Sequence, residues 1–166
     1  MHIRLFLDTE WANDASRELV SLALVSQDTA HRFYAERDPL PGAPSSFVRS
    51  VVYPLLERGD FAVIDAEFTR QLRAFLCQFS ESPLVLYDAL LDVRLLTHAL
   101  DGFGRSGDYG PMPNFKPMLV SFGDVLANIE TYFDFHPESN ARRHHAGVDA
   151  EALRWAFDRA MPRSRT

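Results

Sequence analysis

The sequence predicts an α/β fold, a mixed five-stranded sheet with helices on both faces. Three observations carry that expectation. Between residues 3 and 35, three apolar runs rich in β-formers are separated only by short polar links, which favours an antiparallel meander. Beyond residue 65, stretches with apolar residues at spacings of three and four alternate with short apolar runs of strand length, the pattern of alternating helix and strand. At 166 residues the chain has the size of one domain and can bury a core without covalent staples; residues 1–166 are therefore expected to form a single domain.

The elements follow in order. Residues 3–7 read as the first strand, closed by Asp8-Thr9-Glu10. A polar turn at 12–16 leads to a second strand at 18–26, and Gln27-Asp28-Thr29 turns the chain into a third at 30–35. Residues 38–44 carry three prolines and a glycine and must form a loop. A helix is expected from 45 to about 57, with Pro54 ending or kinking it. The clearest helix spans 65–79, where Phe68, Leu72, Phe75, Leu76 and Phe79 share a face and Asp65 is placed to cap it. Residues 83–87 form a short buried strand, and 89–100 a helix. The glycine- and proline-rich stretch 102–117 should be irregular. A fifth strand at 118–121, a helix at 122–133, a polar loop at 134–143 and a last helix at 146–160 complete the order, before a short basic tail.

Bulk composition narrows the function classes. A hydrophobic content of 46% with 24% charged residues is that of a soluble globular protein. No apolar run reaches the roughly 18 residues of a membrane span, and no basic region followed by an apolar one marks a signal peptide. The single cysteine, Cys77, excludes an internal disulfide and a cysteine-based zinc site, so a cytoplasmic location is expected. Net charge is −6, which argues against broad coating of long nucleic acid. Charge is uneven: residues 141–166 hold six arginines against Asp149, Glu151 and Asp158, and Lys116 is the only lysine. Arginine suits bidentate phosphate contacts, although a GC-rich genome gives the same bias.

Three stretches hold residues that could carry chemistry. Asp8 and Glu10 lie two apart on a strand, so their carboxylates share a face. Two like charges so placed repel, and burial makes both costly, a problem that a divalent cation removes. Alone, such a pair is more often a solvated strand end than a metal site. Asp88 sits where a strand gives way to a helix, with Asp92 four residues on; the pair is also readable as an N-cap and a surface acid. The third stretch is Arg142-Arg143-His144-His145-Ala146-Gly147-Val148-Asp149, where a histidine base and a last carboxylate ligand can be read. Spacing alone does not choose between His144 and His145.

Taken together, the three stretches resemble the exonuclease motifs of the DEDDh family of 3′–5′ exonucleases, which have an RNase H-like fold. Asp8-Thr9-Glu10 matches the first motif, Asp-x-Glu. Val85-Leu86-Tyr87-Asp88-Ala89-Leu90-Leu91-Asp92 resembles the second, in which His-Asn precedes apolar residues and an Asp. His144-His145-Ala146-Gly147-Val148-Asp149 matches the third, His-x-Ala-x-x-Asp. The resemblance spans residues 1 to about 160. It departs at Tyr87-Asp88, which stand where the family has His-Asn, and this leaves Asp88 a rival to Asp92. Chain length is closest to the small bacterial stand-alone exoribonucleases.

The resemblance implies two Mg²⁺ (or Mn²⁺) ions held by Asp8, Glu10, Asp92 and Asp149, with His144 as the general base that takes a proton from the attacking water. The implied substrate is the 3′ end of single-stranded or short nucleic acid, RNA before DNA. Thr9 is counted among the substrate contacts with Trp11, a candidate to stack on the terminal base, and Arg143, which with Arg142 is placed to hold a phosphate. Tyr109 and Phe115 are weaker candidates. No membrane partner is expected, and a homodimer is a family-level expectation. Two other readings remain: an inactive relative that binds nucleic acid or dimerises, and a phosphodiesterase acting on small nucleotides.

Overall fold

In the computed structural model, which describes residues 3–161, strand β1 (Arg4–Trp11) lies near the centre of a mixed sheet. On one side it pairs antiparallel with β2 (Leu19–Ser26), which pairs antiparallel with β3 (Arg32–Arg37). On the other it runs parallel to β5 (Leu84–Tyr87), which runs parallel to β6 (Lys116–Leu119). The sheet has six strands rather than the expected five, because β4 (Ala62–Val63) adds a parallel edge to β3. Two residues carry no periodicity, so nothing in the residues marks this strand.

Alternation along β1 divides the core. Leu5 and Leu7 face a layer built by α1 (Asp65–Cys77) and α2 (Leu90–Leu100), with Leu72, Leu76, Leu95 and Leu96 packed against them. Phe6 faces the opposite layer, made by α3 (Gly123–Phe135) and α5 (Ala146–Ala160), and meets Leu86, Leu153 and Phe157. Helices therefore cover both faces of the sheet. Every residue of β2 is buried, which explains why Ser21 is the one polar residue inside its apolar run. Ala146 and Ala150 pack on Ala23 and Val25, and these small side chains bring the start of α5 close to the sheet. No helix among the described residues is long and apolar enough to cross a membrane.

Several expectations are corrected in detail. β1 does not stop at Leu7: Asp8, Thr9 and Glu10 pair with Ala23, Leu22 and Ser21, and a bulge follows at Glu10/Trp11. The segment expected as one helix over 45–57 is a π-helical turn, Val48–Val52, followed by a 3₁₀ turn, Tyr53–Leu55. Pro54 lies in that 3₁₀ turn, where its missing N–H is tolerated. Asp65 does not cap α1. Ile64 holds the cap position, and the Asp65 carboxylate instead takes two hydrogen bonds from Arg37, at 2.8 and 3.0 Å. Likewise Ala89, not Asp88, is the N-cap of α2. A short helix, α4 (Pro137–Asn140), forms inside the expected loop 134–143. The last helix matches its expected span, and the basic tail beyond it, with Arg163 and Arg165, lies outside the described residues.

Candidate metal centre

β5 leaves β1 early. Their pairing ends at Phe6↔Leu86, and after Tyr87 the chain turns toward α2. Asp8 and Glu10 thus have β2 on one side and no strand on the other. Because they lie two and four residues after Phe6 on the strand, they share its face and point to the α5 layer, where the first turns of α5 bring Asp149. Ligand atoms of Glu10, His144 and Asp149 lie within 4.8 Å of one another. Asp92 enters from the first turn of α2. Its Oδ1 accepts a hydrogen bond from the Thr9 hydroxyl at 2.7 Å, and its Oδ2 accepts one from the Ala89 N–H at 3.3 Å. Asp149 Oδ2 accepts from the backbone N–H of His144 at 3.1 Å.

Electrostatics tie the acids into one cluster. Burial raises the Asp8 carboxyl well above the usual range, and the neighbouring charges of Asp149, Asp92, Glu10 and Asp88 raise it further. Glu10 is pushed up to about 9 by burial, then by Asp149 and Asp92. Asp92 is pushed up to about 7 by burial; the Thr9 hydrogen bond opposes this and Asp88 adds to it. Asp149 also reaches about 7 through burial, against the pull of the His144 N–H and of Arg143. Asp88 is raised by burial. Carboxylates from β1, the β5–α2 turn, α2 and α5 therefore act on each other's ionisation at one place.

The donor set suits a hard divalent cation. Asp8 Oδ2 and Asp149 Oδ1 are fully buried and have no hydrogen-bond partner; an unpaired buried carboxylate oxygen is expensive. All the acids offer oxygen, the ligand that Mg²⁺ and Mn²⁺ take. Asp8, Glu10, Asp92 and Asp149 could hold such ions, with Asp88 beside Asp92. Asp92 is the more deeply fixed of these two, 2% exposed and held by two donors.

The two histidines separate clearly. His144 takes a left-handed backbone conformation (φ 74°) and brings its ring to Glu10 and Asp149, with the edge of Phe47 against it at 5.0 Å. Burial, then Arg143, lowers its pKa, so the ring is neutral and can accept a proton near pH 7. His145 is instead the N-cap of α5. Its Nδ1 accepts from the Gly147 N–H at 3.1 Å, and its ring stacks on Tyr34 at 4.6 Å. A Cβ on Gly147 would lie 3.1 Å from that ring.

The expected substrate contacts fare unequally. Trp11 is half-buried and, with Glu10, His144, Phe47 and Val48, lines a pocket of about 410 Å³. Thr9 is buried and its hydroxyl donates to Asp92, so the side chain orients that carboxylate. Arg143 is tied to Glu130, at 2.9 Å through Nη1, and lies over the Phe133 ring, while Arg142 is paired with Glu57. Tyr109 is buried and donates to the Arg105 carbonyl, and Phe115 packs against the α1/α2 core. Phe47 and Val48 had no sequence signal as site residues. They are brought in by the turn after Ser45, whose N–H bonds the Ala12 carbonyl at 2.7 Å just beyond β1.

No protein-family model matches the chain, and no curated protein matches its sequence.

Proposed function

We propose that this chain is a metal-dependent 3′–5′ exonuclease with an RNase H-like fold, acting on single-stranded or short nucleic acid, RNA before DNA. The observation that carries the reading is the convergence of the Asp8/Glu10 pair with Asp92 and Asp149, which are distant in sequence, with two buried carboxylate oxygens left without a donor. The order of three antiparallel strands, then parallel strands each preceded by a helix, supports it, since the resemblance of the three motifs implies that arrangement. When bound, two divalent ions would neutralise the charge that develops on the phosphodiester.

The remaining work falls to side chains of the chain itself. Asp8, Glu10, Asp92 and Asp149 would hold the ions, and Thr9 and the Ala89 N–H would orient Asp92 toward them. The neutral His144 ring would take the proton of the attacking water. Trp11 and Phe47 form apolar walls beside Glu10 and His144, suited to a terminal base. The test combines melting with and without Mn²⁺ and release of mononucleotides from a 3′-labelled RNA oligomer. Stabilisation without product would favour the inactive binding module. Turnover of a chromogenic phosphodiester but not of the oligomer would favour the small-nucleotide enzyme.

A further inference from the structure

A second pocket lies against the α1/α2 layer, with a volume of about 460 Å³. Arg17, Arg37, Arg94 and Arg105 line it, against Glu18 and Asp65. Four cationic and two anionic side chains leave a formal +2 there, His98 not counted, in a chain of net charge −6. The acids do not cancel all of it. Asp65 is taken up by Arg37, whose guanidinium also lies over the Phe103 ring at 4.7 Å, and by Arg105 at 3.9 Å. Arg17 donates through Nε to the Asp14 carbonyl at 3.3 Å, and Arg94 makes no ion pair within the described residues. Terminal guanidinium nitrogens of Arg17 and Arg94 are thus available to an outside anion, and guanidinium forks fit phosphate oxygens.

Its position relates it to the carboxylates. Leu95 lines the pocket and follows Asp92 by three residues on α2, a rise of about 5 Å along the helix axis. Leu19, also in its wall, is the cross-strand partner of Trp11. Arg17 and Phe103 hold left-handed backbone conformations, φ 51° and 56°, which cost free energy and concentrate at binding sites.

We propose that this arginine pocket is a second phosphate-binding site, which takes a backbone or terminal phosphate of the oligonucleotide whose 3′ end lies at the carboxylate cluster. It rests on the exonuclease reading for the identity of the ligand, but not for the existence of the site. The chemistry recognised is a phosphate, and two titrations in EDTA separate its sources. Inorganic phosphate, followed by amide NMR, should shift Leu95, His98 and Phe103. A 5′-phosphorylated RNA trimer should bind more tightly than its 5′-hydroxyl counterpart or than inorganic phosphate. The double variant Arg17→Gln/Arg94→Gln should melt with the parent and lose about tenfold in affinity for phosphate and trimer alike, and Arg94→Lys should keep part of it. Absence of shifts at these amides overturns the site, and trimer affinity unchanged in the double variant overturns its assignment to an oligonucleotide. If no oligomer is hydrolysed while both titrations behave as expected, the exonuclease reading fails and the phosphate site stands.

Discussion

The two sides of the β1 end are opposites. Toward α5, Asp8 and Glu10 sit in a cluster of buried acids, and Arg143, which acts on Asp149, is occupied by Glu130. Toward α2, Arg17, Arg37, Arg94 and Arg105 face a pocket in which Asp65 is already claimed by Arg37. Elsewhere in the chain, opposite charges pair locally, as Arg154 does with Glu151 and Asp158. Here the fold gathers surplus acid in one place and surplus positive charge in another, with α2 contributing Asp92 to the first and Arg94 to the second. On the proposed reading, each side binds something outside the chain, a cation on one and an anion on the other. A metal-bound nucleic acid supplies both.

Removing one buried acid is the strongest way to break that contrast. Asp8→Asn or Asp149→Asn should abolish oligonucleotide hydrolysis and Mn²⁺-induced stabilisation. Each should also raise the stability of the metal-free protein by about 0.5–2 kcal/mol, as relief of repulsion at an active site does. Urea unfolding in EDTA, alongside an RNA assay, reads both. An intact metal response in Asp8→Asn would remove the cluster from the argument. Next in size, His144→Asn should lower turnover by roughly 10²–10⁴-fold while keeping the Mn²⁺ shift in melting temperature. Loss of that shift would make His144 a ligand rather than a base.

The contrast also has a pH signature. Glu10, Asp92 and Asp149 have folded-state pKa values raised to about 9, 7 and 7, above unfolded values of about 4. The folded state therefore binds more protons between these limits, and stability falls as pH rises. The contribution is fully present below about pH 4 and lost by about pH 9. Melting in EDTA should decline across that window, Asp8→Asn should flatten the decline, and Mn²⁺ should stabilise more at pH 8.5 than at pH 6. A flat profile in EDTA would mean that the acids are screened from one another.

Much of this was legible in the residues. The apolar run at 3–7, the mostly apolar run of β2 and the spacing of Phe68, Leu72 and Leu76 located the layers, because each signal extends over many residues. The acids of the cluster were legible through their motifs. What stayed hidden depends on contacts distant in sequence. Ala62–Val63 becomes a strand only because Glu36 and Arg37 lie beside it. Phe47 reaches His144 only because Ser45 is anchored to Ala12. Likewise His145 is held at the cap of α5 by Gly147 and Tyr34, while the His144 ring lies by Glu10 and Asp149, a difference between neighbours that no spacing records. The same applies to the arginine pocket: Arg17, Arg37, Arg94 and Arg105 show no spacing in sequence that joins them.

The smallest effect expected separates a positioning group from a surface one. Thr9→Val keeps shape but removes the donor to Asp92, and should cost about 0.5–1.5 kcal/mol. The cost should be larger at pH 9 than at pH 5, because the hydroxyl favours the ionised carboxylate. Arg94→Gln, exposed on the same helix, should change stability by less than about 0.5 kcal/mol at either pH. Urea titrations of both variants in EDTA compare them directly. A pH-independent cost for Thr9→Val would assign that hydroxyl to packing, and a sizeable cost for Arg94→Gln would mean that the arginine is held by the protein and is not available to a ligand.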